Sequence, residues 1–242
     1  MKPLSLIVGV GPARGIGGML ARRFGEGGHE VVVAGRTRAK IDQVAADLRK
    51  GGIDAEAVAC DVTDERSVLA LFARIDASGR IPDVVCYNAG NNRPHDFATM
   101  TAAFFEDVWR VACFGGFLVG RESVRRMLQR GSGTVLFTGA SASLRGKPTF
   151  AAFAAGKGGL RMVAQSMARE FGPHGIHVAH VVVDGSVNGD RIRLNRPDRL
   201  REKGEDGLLG LEGIVEAYWH LHQQPRTSWT HELDLRPYKE PF

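Results

Sequence analysis

In the segment Phe153-Ala-Ala-Gly-Lys157 an aromatic ring and an amine stand four residues apart. Residues at that spacing adjoin on one face of a helix. A tyrosine at 153 would set a phenol beside an ammonium that lowers its pKa, an arrangement suited to proton transfer. Phenylalanine has no proton to give, which leaves Lys157 as the one titratable group of the pair. A second spacing that can do chemistry lies near the N-terminus, in Gly11-Pro-Ala13-Arg14-Gly15-Ile16-Gly17. Glycines spaced GxxxGxG let the backbone turn sharply and approach a pyrophosphate resting on the N-terminus of the next helix. A glycine-rich turn that only packs helix on strand would read the same locally. The apolar run before this one and the helical pattern after it favour the dinucleotide reading.

The residue 19 positions after Gly17 bears on which dinucleotide. An acid there would accept the ribose hydroxyls of NAD(H), but the second apolar run ends in Gly35-Arg36-Thr37. Arg36, with Arg14 inside the glycine loop, offers guanidinium donors to a 2′-phosphate, which favours NADP(H) over NAD(H). Two solvated surface arginines are the alternative.

These residues need strands and helices to position them. Apolar, largely β-branched runs fall at Leu4–Val10, Val31–Ala34, Ala55–Ala59, Val84–Tyr87, Thr134–Phe137 and Ile176–Val183, and helical patterns lie near 15–27, 38–50, 64–78, 101–130, 150–171 and 211–223. Thr101 reads as an N-cap, Gly131 as a C-terminal glycine, and Glu232–Leu235 as a closing edge strand. The repeated βα order predicts an α/β fold, a doubly wound parallel sheet with helices on both faces, in which strands are covered on both sides and so read as continuous apolar runs. At 242 residues, 43% of them hydrophobic and 24% charged, the chain has the size of a single domain, 1–242. Many of its 31 glycines, such as Gly9, Gly11, Gly35, Gly90 and Gly139, fall at the ends of apolar runs. Cys60, Cys86 and Cys113 share no metal-ligand spacing and read as buried free thiols in a reducing cytoplasm, with no metal site. The net charge of +5 is scattered among acids without interleaved aromatics, so no nucleic-acid partner is expected. No run approaches the roughly 20 apolar residues of a membrane span.

Together the glycine loop, Asp61-Val62 after the third strand and Asn88-Ala89-Gly90 after the fourth resemble the signatures of the short-chain dehydrogenase/reductase family over nearly the whole chain. The resemblance implies a Rossmann-like fold, a homodimer or homotetramer, and a small-molecule substrate. It further implies that Asp61 and Val62 hold the adenine, that Lys157 bonds the nicotinamide ribose, and that Gly185 and Val187, in an altered Asp184-Gly185-Ser-Val187 stretch, meet the carboxamide. Residues 188–210 fall where the family keeps its substrate lid. They carry Arg191, Arg193, Arg196, Arg199, Arg201 and Lys203, which suit an anionic substrate or make a solvated face.

The family's Asn-Ser-Tyr-Lys tetrad is incomplete here: Ala112, Ala140 and Phe153 take the first three places, and Lys157 alone is retained. Ser141 adjoins the serine position and serves only if the loop shifts by one residue. Tyr87, Lys157 and His95 are the candidate replacement donors. General acid catalysis contributes about 10²–10⁴-fold, and positioning a hydride donor contributes more. The expectation is therefore an NADP(H)-dependent oxidoreductase with an altered proton donor, the alternative being a nucleotide-binding protein that senses redox state or serves a partner subunit.

Overall fold

The computed structural model describes residues 1–240, so the last two positions of the 1–242 span lie outside the described residues. Strands β1 (Leu4–Val8), β2 (Glu30–Gly35), β3 (Ala55–Ala59), β4 (Val84–Tyr87), β5 (Gly133–Thr138), β6 (Ile176–Val183) and β7 (Glu232–Leu235) form a parallel sheet ordered β3-β2-β1-β4-β5-β6-β7. The order reverses between β1 and β4. At such a switch point the connections diverge to opposite faces and leave a crevice at the carboxyl ends of the strands.

Alternation along each strand feeds two cores. Leu6 and Val8 of β1 join Tyr87, Phe137, Leu118 and Leu160 on one face, while Ile7 joins Leu20, Phe24, Ile41 and Tyr218 on the other. The first face is covered by α3 (Glu65–Asp76), α5 (Gly115–Arg130) and α6 (Ala151–Phe171), the second by α1 (Ile16–Glu26), α2 (Arg38–Lys50) and α9 (Leu211–Gln223). The hydroxyl of Thr101 caps α4 (Ala102–Trp109) by accepting from Phe104 N, and Gly131 closes α5 in the left-handed region at φ 68°.

Two elements differ from the sequence expectation. β1 stops at Val8 because Gly9 takes φ 87°, outside the strand region. The helical span 101–130 is interrupted by a π turn, Arg110–Phe114, between α4 and α5. The widened turn leaves a carbonyl in need of a donor, and the buried Tyr87 hydroxyl of β4 supplies it to Val111 O.

At the amino ends of the strands, opposite the crevice, a cavity of about 470 Å³ is lined by His29, His177 and His222 with Trp219 and Trp229. Burial lowers the pKa of His29 and His177, and takes His222, and His180 of β6, down to about 4. These histidines fold neutral, whereas the unfolded chain takes up protons from about pH 6.5 downward. The folded state then binds fewer protons, so stability is expected to fall as pH drops from about 6.5 toward 4. His180 alone accounts for roughly 2–3 kcal/mol of that loss. Urea midpoints measured across this range check it: a flat profile would mean that the rings are hydrated.

Candidate functional site: a dinucleotide-sized cleft beside an apolar catalytic position

The crevice holds a cleft of about 910 Å³ floored by the turn after β1. Gly9 is required there, since a Cβ on it would overlap Ala89 N; one on Gly17 would stand 3.0 Å from Gly9 O and Val10 Cα, where α1 meets the turn. Asn88 fastens β4 to the same turn, with its backbone N–H donating to Val8 O (2.8 Å) and its side chain donating to Gly9 O (3.1 Å). The first turn of α1 carries no side-chain cap and no acid, and nothing stands within 4 Å of where a Cβ on Gly11 would be. Gly15, Ile16 and Gly17 line the cleft with Arg14 and Arg36, both exposed. Lys40, which the sequence reading missed, extends this cationic rim one helical turn beyond Thr37.

The other expected cofactor residues are distributed around the same space. Val62, Asn88, Ala89, Gly90, Gly185 and Val187 line it. Asp61 does not: its Oδ1 accepts from Thr63 N (2.9 Å) and Thr63 Oγ1 (2.8 Å), tying its own turn. Ala13 lies on the exposed outer side of the glycine loop. Across the mouth, residues 188–210 form α7 (Asp190–Asn195) and α8 (Pro197–Lys203) and return through a bridge between Val187 and Leu209. Arg191, Arg196 and Arg199 face the cleft, and Arg191 donates to Asn92 O (3.0 Å) on the opposite loop. Arg193 donates instead to Asn188 Oδ1 and Lys203 pairs with Glu240.

Beside the inner end of this space, Lys157 is 3% exposed and donates to Thr138 O at 2.7 Å. Its Nζ lies 5.9 Å from the Phe153 ring centroid and 3.4 Å from where a Cβ on Gly90 would stand. Burial lowers its pKa to about 8. Phe153 is itself buried, in a cluster with Val108 and Ala152 against which Met100, Phe104, Ala140 and Ala142 pack. Ala112, in the π turn, is buried against α6, where a Cβ on Gly156 would come within 2.7 Å of it. Of the three positions that depart from the tetrad, Phe153 and Ala140 thus share one apolar cluster, while Ala112 packs separately against α6 at Gly156.

The nearby hydroxyls are committed elsewhere. Asp184 is fully buried, and its carboxylate oxygens take Arg145 (2.8 and 2.9 Å) and Arg236 (3.1 Å); the Ser141 hydroxyl nearby helps lower its pKa. Ser143 Oγ accepts from Ala140 N at 3.1 Å and lies 3.3 Å from His180 Nε2. His180 Nδ1 is 3.0 Å from Glu232, which Arg161 grips through two bonds of 2.7 Å. A neutral His180 satisfies both partners if Nδ1–H donates to the carboxylate and Nε2 accepts from Ser143. Of the other donor candidates, Tyr87 points into the core, and His95 packs its ring on Phe104 while its backbone N–H donates to Thr149 O (2.8 Å). Thr149, at φ 66°, takes a conformation costly for a β-branched residue just before Phe150, which lines the cleft. The sequence reading gave His180, Glu232, Arg145 and Asp184 no part in a polar network. The signal available to it was polarity inside an apolar run, at His180 and Asp184.

Comparison with known proteins matches residues 5–194 to the family described as short chain dehydrogenase. A 2-dehydro-3-deoxy-D-gluconate 5-dehydrogenase of Formosa agariphila is 32% identical over 214 residues, 83% of this chain and 81% of that one. Versicolorin reductase 1 of Aspergillus parasiticus is 31% identical over 188 residues, 77% and 70% of the two chains. A short-chain dehydrogenase structure from Rhodopseudomonas palustris is 36% identical, with a TM-score of 0.81 over 97% of this chain and 99% of that one.

Proposed function

Because the chain belongs to the short-chain dehydrogenase family, we propose that it is an NADP(H)-dependent oxidoreductase acting on a carbonyl/alcohol pair with Lys157 in place of the missing phenol. The observation that carries the cofactor choice is the pair of exposed guanidiniums, Arg14 and Arg36, on the cleft with no carboxylate at the end of β2. The residues fit such a group: the open space over Gly11 and the uncapped amino end of α1 suit a pyrophosphate, and Val62, Gly185 and Val187 line the remaining length. In this reading the whole chain is one dinucleotide-binding unit and residues 188–210 are its substrate lid. Binding of NADPH is expected to be tighter than that of NADH, and Arg36→Ala should weaken NADPH alone by about 1.5–3 kcal/mol, the range for a hydrogen bond to a charged group. Calorimetric titration of both cofactors checks this, and equal affinities would refute it.

When bound, the dinucleotide supplies or accepts the hydride. The protein's part is position and charge. Lys157 spends one N–H on Thr138 O and keeps two donors for the ribose and the substrate oxygen. Its charge stabilises a developing oxyanion in a water-poor pocket. With the pKa lowered to about 8, carbonyl reduction should decline as pH rises through that value, because the ammonium is lost there. A kcat profile flat to pH 10 at saturating NADPH would remove Lys157 from this role.

A homo-oligomer belongs to the same proposal. Phe105, Phe117 and Met162 are 38%, 41% and 50% exposed on α4, α5 and α6, and Trp109 and Phe114 stack half-buried beside them. Light scattering should exceed the 26.2 kDa of one chain. The apolar side chains at Ala112, Ala140 and Phe153 also support the second reading, a nucleotide-binding protein without turnover.

A further inference from the structure

Resting on the reading of Lys157 as the cation of the reacting position, we propose that His180 is a positioning residue: it fixes the turn Thr138-Gly139-Ala140, whose first carbonyl holds the Lys157 ammonium. His180 is fully buried and is the register partner of Phe137 on β5 and of Glu232 on β7, which places its ring on the face of the sheet that α6 covers. The ring occupies the place of a side chain on Gly139, since a Cβ there would stand 2.4 Å from Nε2 and 2.5 Å from Cε1. Only glycine fits. The Ser143 hydroxyl, 3.3 Å from His180 Nε2, takes the backbone N–H of Ala140 at 3.1 Å, and Gly139 N donates to Val181 O at 2.7 Å. The turn is therefore held at consecutive residues. Thr138, just before them, presents the oxygen that Lys157 Nζ meets at 2.7 Å.

These bonds close a circuit that begins and ends on α6. Lys157 and Arg161 are neighbours on one face of that helix, four residues apart. Arg161 donates twice to Glu232, Glu232 lies 3.0 Å from His180 Nδ1, His180 meets Ser143 and Gly139, and Thr138 O returns to Lys157. Thr138 is tied across the sheet as well, its hydroxyl 2.7 Å from that of Tyr218 on α9. An ammonium carries three rotatable donors on a flexible stem, so one carbonyl orients it only if that carbonyl is itself held still. Displacing the His180 ring would release Gly139, Ser143 and Glu232 together. The charged and titratable groups gathered with Lys157 on this side of the sheet are His180, Glu232 and Arg161, with Tyr87 of β4 and Cys113 of the π turn, whose pKa values burial raises. Burial keeps His180 neutral, so it acts on Lys157 through geometry and not through charge.

The full-length protein tests this by NMR of isotope-labelled lysine side chains, with the Lys157 signal assigned by its loss in Lys157→Arg. In the native protein Lys157 should titrate with a midpoint near 8. His180→Asn keeps a donor for Glu232 where Nδ1 stood but does not reach Ser143, whereas His180→Gln does. His180→Asn should raise the Lys157 midpoint by at least about one pH unit, because water replaces the carbonyl as partner of the ammonium, and His180→Gln should bring it back to within about half a pH unit of the native value. Ser143→Ala, which removes the bond to Ala140 N and leaves the ring in place, should shift the midpoint in the same direction and serves if His180→Asn does not fold. A purely structural role would lower the urea midpoints of these variants and leave Lys157 where it was. A change under about one pH unit in every variant that folds, a downward shift, or an equal shift in His180→Gln would overturn the inference. The readout needs no turnover, so the two readings fail separately. A flat kcat profile beside midpoints that move as expected would remove Lys157 from the proposed function alone, and unmoved midpoints beside a profile that declines through about 8 would overturn this inference alone. A native midpoint near the free value of about 10.4 would overturn both.

Discussion

Phe153→Tyr is expected to raise NADPH-dependent reduction of simple ketones by up to about 10²–10⁴-fold, the contribution of a positioned general acid. That corresponds to roughly 3–5 kcal/mol of barrier at about 1.4 kcal/mol per decade. Its physical basis is that Lys157 is already in place, buried, held by Thr138 O and 5.9 Å from the ring that would become a phenol. Ala140→Ser should add to the gain, since position 140 borders the same cluster and is partly exposed. Ala112→Asn is different. Ala112 is fully buried against the Gly156 backbone, so a larger polar side chain there overfills the contact between the π turn and α6. It should cost about 1–3 kcal/mol of stability. The double variant is therefore the better catalyst to build, and its gain will not be the product of the single gains because the groups act as a unit. Measured kcat/KM values for a ketone panel, with urea midpoints for folding, decide it. A double variant that folds and binds NADPH yet reduces no carbonyl would favour the nucleotide-binding protein over the enzyme.

The strands were readable because a parallel sheet covered on both faces demands largely apolar runs, and most of those runs end at a turn glycine or a polar residue. The glycine loop and Arg36 were readable for a related reason: a dinucleotide is met by consecutive backbone groups and by the next strand's end, so the whole signal lies within about one βαβ unit. The π turn was not. One extra residue in an apolar helical stretch leaves the periodicity almost unchanged, and what fixes the turn is Tyr87 reaching Val111 O from 24 residues away. The apolar cluster was only partly legible. Phe153, Ala112 and Ala140 announced themselves by what they replace, but Met100, Phe104 and Val108 join Phe153 and Ala140 only through the packing of α4 on α6. The buried polar network was invisible because Asp184 draws on Arg145, 39 residues before it, and on Arg236 beyond β7.

Asp184→Ala should be the most destabilising single polar change in the site, at about 3–5 kcal/mol, the usual cost of removing one partner from a buried ion pair. For a chain of this size that lowers Tm by roughly 10 °C. Asp184 is fully buried at the carboxyl end of β6, so burial alone would raise its pKa. The Ser141 hydroxyl and the guanidiniums of Arg145 and Arg236 outweigh that and hold it below the usual 3.8. Removing the carboxylate takes one partner from each arginine, but Arg236 keeps Asp234 (2.6 Å) and Arg145, 33% exposed, can turn to water, which places the expected cost at the lower figure. The sign with pH separates this group from the histidines. A carboxylate with a lowered folded pKa contributes its stability above about pH 4 and loses it below, whereas the buried histidines lose theirs between about 6.5 and 4. Asp184→Ala should therefore retain the histidine limb of the stability profile and flatten the limb below pH 4. Because Asp184 directly precedes Gly185, which lines the cleft, the same variant should also loosen NADPH. Asp184→Asn, which keeps an acceptor for Arg145 without the charge, should fall between the two. A loss of less than about 1 kcal/mol in Asp184→Ala, the range of an exposed ion pair, would mean that both arginines are as well served by water and by their other partners.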